Sequence, residues 1–402
     1  MKILLVNKFH WIKGGSETYY FGLGNMLKNH GHEIAYFSME DEKNIDSGDI
    51  EYFVEASDMN SNNVTKAFDV IYNCKNKIKM EKALDEFKPD IVHINNFQRQ
   101  LSASIIFPCV KRNIPVVFTA HDTQAVCPAI TMMDKNGNVC DNCLKGKYTN
   151  CIKNKCIKNS RLKSLLGAIE GYYYRWNKVY VDKIDCIITP SDFLRKILIS
   201  DGIPSNKIKT LHNFVSVDNK DDNIKIGDYA LYVGRLSKEK GILNLLKAFQ
   251  NVKGKLYVAG DGPEMENIKE FIKNNKMESK VKLLGFLNKN DVIEYVKKCR
   301  FVVLPSICNE NCPYSILEAI TFGKPVLASN VGGVPELVVN DENGIIYDYN
   351  DIKELSNKLD LLFKEQHIIE KYSLNSKEMS KLYTIDNYYE NIMEIYNSLI
   401  NK

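Results

Sequence analysis

The sequence lacks the features that mark membrane-spanning, secreted or nucleic-acid-binding proteins. No apolar run approaches the roughly 18 residues of a transmembrane helix. Met1 and Lys2 lead into only four apolar residues, Ile3 to Val6, too few for a signal-peptide core. The net charge of +4, from 54 basic and 50 acidic residues, is too balanced to indicate a nucleic-acid partner. We therefore expect a cytoplasmic protein that does not bind nucleic acid.

Repeats of solenoid length and low-complexity segments are also missing from the sequence. The chain has 402 residues, of which 44% are hydrophobic, so it can bury a large core. At about 150 residues per domain, this length favours two domains.

Short apolar runs rich in β-branched residues alternate with longer helical patterns, which is typical of buried parallel strands in α/β domains. The runs in the first half are Ile3 to Val6, Ile34 to Phe37, Ile91 to Ile94, Val116 to Thr119 and Ile184 to Thr189. The runs in the second half are Ala230 to Val233, Leu256 to Ala259, Val281 to Leu284, Phe301 to Leu304 and Val326 to Ala328. This pattern predicts two α/β sheets in series.

A polar stretch divides the two series of strands. Between Lys207 and Asp228, the run Asp218 to Asn223 has no apolar periodicity, and we place a hinge there. The predicted domains are residues 1–208 and 209–384. Residues 385–402 predict an amphipathic helix that packs back on the first domain, because apolar residues recur there at helical spacing: Tyr388, Ile392, Ile395 and Leu399.

Paired glycines follow the first predicted strand. The strand ends at Asn7, and Gly14 and Gly15 precede a predicted helix from Tyr19 to Lys28. Glycines let the backbone approach an anion, and the amides and dipole of a helix N-terminus favour phosphate. A plain turn explains the same two residues, since the dinucleotide pattern G-x-G-x-x-G is absent.

The second domain begins with a strand and a basic loop, Gly234 to Gly241. Arg235 and Lys240 lie just past the strand end, where ligands bind in open α/β sheets, and together they can neutralise a diphosphate. Solvated loop charges are the alternative. The next strand ends in a second glycine-rich turn, Ala259 to Pro263, in which Gly262 can let a flat base lie against the backbone.

Two glutamates border the next loop. Glu310 lies in the loop, and Glu318 lies within a predicted helix that runs to about Phe322. The two carboxylates can bind opposite ends of a glycosyl nucleotide, although this spacing also arises by chance. Backbone amides at the start of the helix are expected to face its sugar or phosphate, in the segment Asn311, Cys312, Pro313 and Tyr314.

Taken together, these motifs resemble glycosyltransferase family 4, whose members are retaining enzymes of the GT-B fold. The order is the glycine pair, the basic loop, the Gly-Asp-Gly-Pro turn, the two glutamates and Gly332 to Glu336. The resemblance implies two Rossmann-like domains facing each other across a cleft. It also implies transfer of a sugar, of the hexosyl type, from a nucleotide-diphosphate sugar to a glycan or lipid-linked acceptor in bacterial surface polysaccharide biosynthesis.

The resemblance also implies residue roles in the second domain. Arg235 and Lys240 match the basic pair that binds the donor diphosphate and stabilises the departing charge. Glu310 matches a carboxylate that contacts the transferred sugar, and Glu318 matches the one that holds the donor ribose.

In the first domain, Gly15, with Gly14 before it, matches the glycine loop near the diphosphate. His121, just past a strand, matches a histidine near the reactive carbon or the 6-hydroxyl of the sugar, although a satisfied loop histidine is the alternative. The chain contains no D-x-D pair, so we expect Arg235 and Lys240 to replace a catalytic metal, and no cofactor to be needed for catalysis.

Five cysteines cluster within thirty residues: Cys127, Cys140, Cys143, Cys151 and Cys156. The Cys-x2-Cys spacing is typical of a metal-binding knuckle, so four of the five predict a structural zinc site in an insertion over residues 127–156. Free or redox-active thiols are the alternative.

A basic segment follows the cysteines. Its apolar residues recur at helical spacing at Leu162, Leu165, Leu166, Ile169, Tyr173 and Trp176. A basic helix with an apolar face suits the inner, anionic surface of the cell membrane. The alternative is a helix packed on the first domain with a solvated basic face.

Three other function classes fit parts of the sequence. A GT-B epimerase acts on the nucleotide sugar without an acceptor. A sugar-nucleotide-binding protein has the fold without its chemistry, although the four charged site residues argue against it. A zinc-containing nucleic-acid binder rests only on the cysteines and the basic segment.

Overall fold

The computed structural model describes residues 1–57, 68–134, 138–216 and 224–401. The chain divides into two compact units: Met1–His212 with Tyr388–Lys402 form unit 1, and Asn213–Asn387 form unit 2. The polar run Asp218 to Asn223, in which we predicted the hinge, lies outside the described residues.

Unit 1 contains a sheet of seven parallel strands in the order β3-β2-β1-β4-β5-β6-β7. Chain order reverses between β1 and β4. The strands are β1 (Lys2–Val6), β2 (Glu33–Met39), β3 (Ile50–Val54), β4 (Ile91–Ile94), β5 (Val116–Thr119), β6 (Cys186–Thr189) and β7 (Ile208–Thr210). The helices are α1 (Gly15–Asn29), α2 (Cys74–Phe87), α3 (Ile106–Lys111), α4 (Thr149–Asn154), α5 (Arg161–Trp176), α6 (Asp192–Ser200) and, from the C-terminus, α14 (Ile385–Ile400).

Unit 2 contains a sheet of six parallel strands in the order β10-β9-β8-β11-β12-β13. The strands are β8 (Tyr229–Val233), β9 (Lys255–Ala259), β10 (Val281–Gly285), β11 (Phe301–Leu304), β12 (Val326–Ser329) and β13 (Gly344–Tyr347). The helices are α7 (Ile242–Phe249), α8 (Met265–Asn274), α9 (Lys289–Lys298), α10 (Tyr314–Thr321), α11 (Val334–Leu337), α12 (Ile352–Lys364) and α13 (Gln366–Met379).

The two Rossmann-like α/β sheets confirm the fold class expected from the sequence. Most of the predicted strands are buried on both faces, as in β1, where Ile3 to Val6 are fully buried, whereas Lys282 of the outer strand β10 is exposed. Three strands were missed: β3, β7 and β13. They lie at the ends of the two sheets and are short or carry polar residues; Ile50 of β3, for example, is 51% exposed. An outer strand therefore does not need a continuous apolar run, which is the signal by which the other strands were predicted.

Helix α14 is joined to the rest of unit 1 by a network of buried hydrogen bonds. Tyr388 Oη lies 2.6 Å from Tyr19 Oη, which lies 3.3 Å from Thr119 Oγ1. Thr119 Oγ1 lies 2.8 Å from His93 Nε2, and His93 Nδ1 lies 2.5 Å from Tyr396 Oη. All five side chains are almost completely buried, so each hydrogen bond satisfies a group that water does not reach.

The His93 side chain in this hydrogen-bond network is neutral. Burial, and then the nearby His121, lower the pKa of His93 to about 3. A neutral imidazole has one donor and one acceptor nitrogen, which matches the two hydroxyl groups that contact it.

The predicted zinc site is not supported. In the parts of the chain that the structure describes, no group of three or more Cys, His, Asp or Glu side chains is placed to hold a metal ion. The five thiols instead line a small cavity of about 10 Å³, together with apolar neighbours such as Val126 and Met132. Burial raises the pKa of both Cys143 and Cys151 to about 12, which keeps these thiols protonated. The sequence spacing correctly indicated that the cysteines lie close together, but it does not determine the direction of their sulfur atoms.

Among the described helices, none combines the length and the apolar character needed to cross a bilayer.

We predict that the clustered cysteines react slowly as free thiols. In reduced protein at pH 8, iodoacetamide should alkylate the exposed Cys74 first, while Cys143 and Cys151 should react only on unfolding, because buried protonated thiols are poor nucleophiles. Mass spectrometry of peptides with and without EDTA checks this. Stoichiometric zinc whose chelation accelerates alkylation of Cys140 and Cys143 would instead restore the metal site.

We also predict an acid-sensitive fold. Since the pKa of His93 is lower in the folded than in the unfolded protein, the unfolded state binds the extra proton below pH 6.5, and stability falls as the pH decreases toward 3. His93 should contribute about 1.4 kcal/mol per pH unit to the free energy of unfolding in this window. His93→Gln should lose that part of the slope in urea titrations, while the exposed control His367→Gln should keep it. Equal slopes in wild type and His93→Gln would contradict the prediction.

Candidate functional site

In unit 2, the loops that follow β8, β9 and β11 meet at the edge of the sheet formed by the carboxyl ends of the strands. They meet where the chain order of the strands reverses, between β8 and β11. Leu236 N donates to Asp261 O at 2.9 Å, and Ile307 N donates to Glu239 O at 2.9 Å. Such a reversal point is where open α/β sheets bind ligands. The basic loop and the Gly-Asp-Gly-Pro turn, predicted separately, are therefore adjacent.

Two glycines permit this approach. A Cβ atom on Gly260, whose φ is +144°, would lie 1.8 Å from Gly234 O. A Cβ atom on Gly241, whose φ is +68°, would lie 1.8 Å from Pro305 O. Any larger residue would push the loops apart.

Lys240 and Glu310 form the charged centre of this edge. Lys240 Nζ lies 2.5 Å from Glu310 Oε1, which also accepts a hydrogen bond from Ser306 Oγ at 2.6 Å. The side chains are 28% and 13% exposed, respectively. Burial, the largest single influence, lowers the pKa of Lys240, but the attraction and hydrogen bond of Glu310 act together with Cys308 and Glu239 and raise the pKa above its ordinary value. Lys240 is therefore charged at neutral pH. Arg235, in the same loop, is exposed to solvent.

The segment after Glu310 leads directly into α10. Asn311, Pro313 and Tyr314 are partly exposed, and Cys312 is buried and accepts a hydrogen bond from Asn213 Nδ2 at 3.2 Å through its carbonyl. Gly333 N donates to Glu310 O at 2.7 Å, which holds the Glu310 backbone against the later glycine motif.

Glu318 lies one turn into α10 and is 9% exposed. Burial raises the pKa of its carboxyl to about 7, and the positive charge of Lys289 opposes this only in part. A carboxyl group titrating near neutrality in a ligand-binding edge is typical of functional sites.

In unit 1, Gly14 and Gly15 are exposed, and α1 begins at Gly15 with no side chain capping its N-terminus. Asn7, at the end of β1, accepts a hydrogen bond from Asn96 N at 3.1 Å and donates to Phe9 O at 2.7 Å. These contacts tie the loop before α1 to the loop after β4.

His121 follows β5 at the same edge of the sheet in unit 1. Its Nε2 lies 2.9 Å from Asn95 Oδ1, and its ring packs edge-on against Tyr19 of α1 at a centroid distance of 4.9 Å. Burial, and then the positive charge of Lys8, lower the pKa of His121 to about 3. A neutral His121 therefore donates from Nε2 to the Asn95 oxygen.

Sequence reasoning missed three residues at these edges: Asn7, Asn95 and Ser306. Each directly follows a buried strand or lies two residues past its end. That position was the available signal, but it does not distinguish these residues from ordinary polar loop residues.

Comparisons with known proteins agree with this architecture. A family model described as Glycosyltransferase Family 4 matches residues 13–219, just over half of the chain, and one described as Glycosyl transferases group 1 matches residues 218–379.

Several individual proteins are similar in sequence to parts of this chain. An uncharacterized glycosyltransferase of Methanocaldococcus jannaschii is 28% identical over 238 residues, which are 58% of this chain and 65% of the relative. An uncharacterized 42.6 kDa protein in the cps region of Klebsiella pneumoniae is 27% identical over 287 residues, which are 71% of this chain and 68% of the relative. The chain thus spans about two thirds of these relatives.

Among solved structures, Anabaena HepE in complex with UDP-glucose superposes with a TM-score of 0.70 at 17% identity, covering 99% of this chain and 100% of that one. This likeness shows the GT-B fold. The two family models establish that the chain belongs to glycosyltransferase family 4 and carries a group 1 glycosyl transferase region at residues 218–379.

Proposed function

We propose that the chain is a retaining glycosyltransferase that moves a sugar from a nucleotide-diphosphate sugar to a glycan or lipid-linked acceptor. The observation that carries the proposal is the Lys240–Glu310 pair, 2.5 Å apart, at the reversal point of the sheet in unit 2. The relative HepE was crystallised with UDP-glucose, which is a donor of this class.

The pair suits the chemistry of a departing diphosphate. The bond from the anomeric carbon to the diphosphate oxygen breaks and its electron pair stays on that oxygen, so one new negative charge develops on a diphosphate that is already negative. Lys240 can exchange Glu310 for a phosphate oxygen, and Arg235 adds a second cation from the same loop. Glu310, with Ser306 fixing its carboxylate, then accepts hydrogen bonds from hydroxyl groups of the transferred sugar.

The remaining donor contacts follow from the same arrangement. Glu318 accepts hydrogen bonds from the ribose hydroxyl groups, and Gly262 lies in the turn against which the base packs. The helix start at Asn311 to Tyr314 presents backbone amides to the sugar or phosphate.

Unit 1 supplies the reaction centre in this proposal. The acceptor hydroxyl attacks the anomeric carbon on the face that the diphosphate leaves, and its proton passes to a leaving phosphate oxygen, so configuration is retained. The neutral His121, oriented by Asn95, hydrogen-bonds the donor sugar without competing as a charge, and Gly14 and Gly15 admit the diphosphate close to the backbone.

The relative in the Klebsiella cps region supports surface polysaccharide biosynthesis as the setting. A membrane-associated acceptor also fits the surface of α5. Its Leu166 packs inward, but Leu162, Leu165, Tyr172 and Trp176 form an outward stripe and are 67%, 40%, 40% and 88% exposed. Basic residues are also frequent before, within and after α5 in the sequence, which favours binding to anionic lipid: Lys153, Lys155, Lys158, Arg161, Lys163, Arg175, Lys178 and Lys183.

The charge role of Lys240 predicts a large loss of activity when the charge is removed. Lys240→Gln can still hydrogen-bond to Glu310, so the fold should survive, but kcat/KM for the nucleotide sugar should fall by about 10² to 10³. Release of nucleoside diphosphate measures this, and thermal melting confirms folding. Lys238→Ala, in the same loop, is the matched control. EDTA should leave wild-type turnover unchanged.

Three results would contradict this proposal. Lys240→Gln could turn over at the wild-type rate, or chelation could abolish activity until Mg²⁺ or Mn²⁺ is added. A third is conversion of the nucleotide sugar to its epimer with no free diphosphate, which would indicate an epimerase. The anomeric configuration of the transferred sugar, read by NMR, tests retention separately.

The exposed stripe on α5 predicts binding to anionic vesicles. Wild-type protein should sediment with phosphatidylglycerol vesicles at low salt, and binding should weaken as salt screens the basic residues. Trp176→Ala should reduce binding about tenfold, whereas Phe286→Ala, which removes an aromatic side chain that is 82% exposed in unit 2, should not. Failure of the wild-type protein to bind these vesicles would leave α5 as an ordinary basic helix.

A further inference from the structure

Unit 1 contains a second candidate site, a cavity of about 240 Å³. It lies among the loop after β5, α5, the turn Val179–Lys183 and the residues after α6, all within unit 1. The volume is many times the 10 to 15 Å³ that one water molecule needs. The polar side chains that line it and matter here are those of Gln124, Tyr148, Glu170, Tyr174, Arg175 and Asp201.

The walls combine glycine with tyrosine rings. Gly167 and Gly171 are one turn apart on α5 and line the cavity. A Cβ atom on Gly171 would lie 2.9 Å from the ring of Tyr148, so the glycine allows that ring to lie against the helix. Tyr148 and Tyr174 are 3% and 4% exposed, which makes them fixed surfaces. Flat aromatic surfaces of this kind suit the C–H faces of a sugar ring.

Gln124 provides the specific polar signal. It lines the cavity and is 8% exposed, yet neither its amide nitrogen nor its amide oxygen has a hydrogen-bond partner within the described parts of the chain. Leaving a buried donor and acceptor unpaired is costly. A hydroxylated ligand can satisfy both atoms, because a hydroxyl group both donates and accepts. A phosphate can only accept, and a hydrocarbon can do neither.

The charges that line the cavity are balanced, because Glu170 and Asp201 lie there together with Arg175 and Lys178. Glu170 accepts hydrogen bonds from Tyr174 Oη at 3.0 Å and from Arg99 N at 2.9 Å, and burial raises the pKa of its carboxyl. Asp201 pairs with Arg175 at 2.9 Å, so the guanidinium is already engaged. Glu170 likewise lies 3.8 Å from Arg99 Nε, so the carboxyl groups are paired and the cavity carries no net charge that would select an ion.

We propose that this cavity binds a sugar ring of the saccharide acceptor, which is an inference that rests on the proposed glycosyl transfer. Gln124 lies three residues after His121 in the same loop, and its backbone N donates to Asp122 Oδ1 at 2.8 Å. One wall of the cavity is therefore formed by the loop that carries His121, the residue of the proposed reaction centre. Tyr148 and Tyr174 stack on the ring, and Gln124 hydrogen-bonds two of its hydroxyl groups.

Saturation-transfer NMR on the full chain tests this binding directly, without turnover. The probes are the methyl α-glycosides of glucose, galactose, mannose and N-acetylglucosamine, with glycerol 1-phosphate as the anionic comparison. At least one glycoside should receive saturation from wild-type protein. Gln124→Met keeps the side-chain volume but removes both amide atoms, and binding of that glycoside should weaken about tenfold or more.

Two control variants separate this proposal from the proposed function. Gln100→Met removes another amide, whose oxygen is buried and unpaired but does not line the cavity, and it should bind the glycoside normally. Lys240→Gln should lose donor turnover while it keeps glycoside binding. Equal binding to wild type and Gln124→Met, no binding of any glycoside to wild type, or Gln124-dependent binding of glycerol 1-phosphate alone would overturn the cavity assignment while leaving the donor proposal standing.

Discussion

Close backbone contact between loops is the constraint on which the proposed donor site of unit 2 depends. Gly241 approaches Pro305 O and Gly260 approaches Gly234 O at distances that exclude a Cβ atom. Because the loops after β8 and β11 can touch in this way, Lys240 and Glu310, seventy positions apart, form an ion pair. The glycines therefore act on the chemistry indirectly, by determining where two charged side chains can meet.

The pairing of Lys240 with Glu310 also prepares the edge electrostatically. A buried ammonium group with no counter-charge would tend to lose its proton, whereas the carboxylate raises its pKa and preserves the cation. Ser306 Oγ holds the carboxylate from the other side at 2.6 Å. If a donor diphosphate binds here as we propose, it meets a charge that is already oriented, so little reorganisation accompanies its binding.

Sequence reasoning predicted the parts of the molecule that depend on local pattern. Buried central strands such as β1 and β11 are continuous apolar runs, and the glycine and charge motifs follow strand ends, so both were found. Edge strands such as Ile50–Val54 were not, because exposure removes the apolar signal. Cysteine spacing led to a zinc site that the structure does not support, since spacing does not determine the direction of five Sγ atoms. Asn95 gains its role from a hydrogen-bond partner that is distant in sequence, and Ser306 gains its role from the pairing of Glu310 with the distant Lys240. Gln124 gains its role from the lack of a hydrogen-bond partner in the described residues, which only the structure reveals.

The two units use opposite electrostatic means at corresponding places, the edges where their parallel strands end. Unit 2 keeps the partly buried Lys240 charged by placing it beside a carboxylate, which opposes the effect of burial, while unit 1 keeps His93 and His121 neutral because burial lowers the pKa of both. Helix α14 lies beside these histidines: Tyr396 Oη contacts His93 Nδ1, and Tyr388 Oη contacts Tyr19, whose ring packs against His121. Because Tyr388, Tyr396 and His93 are almost completely buried, α14 helps to exclude water from His93, whereas His121 remains partly exposed. Through Tyr19, the hydrogen bonds of α14 thus reach the ring of the histidine that we place at the reaction centre.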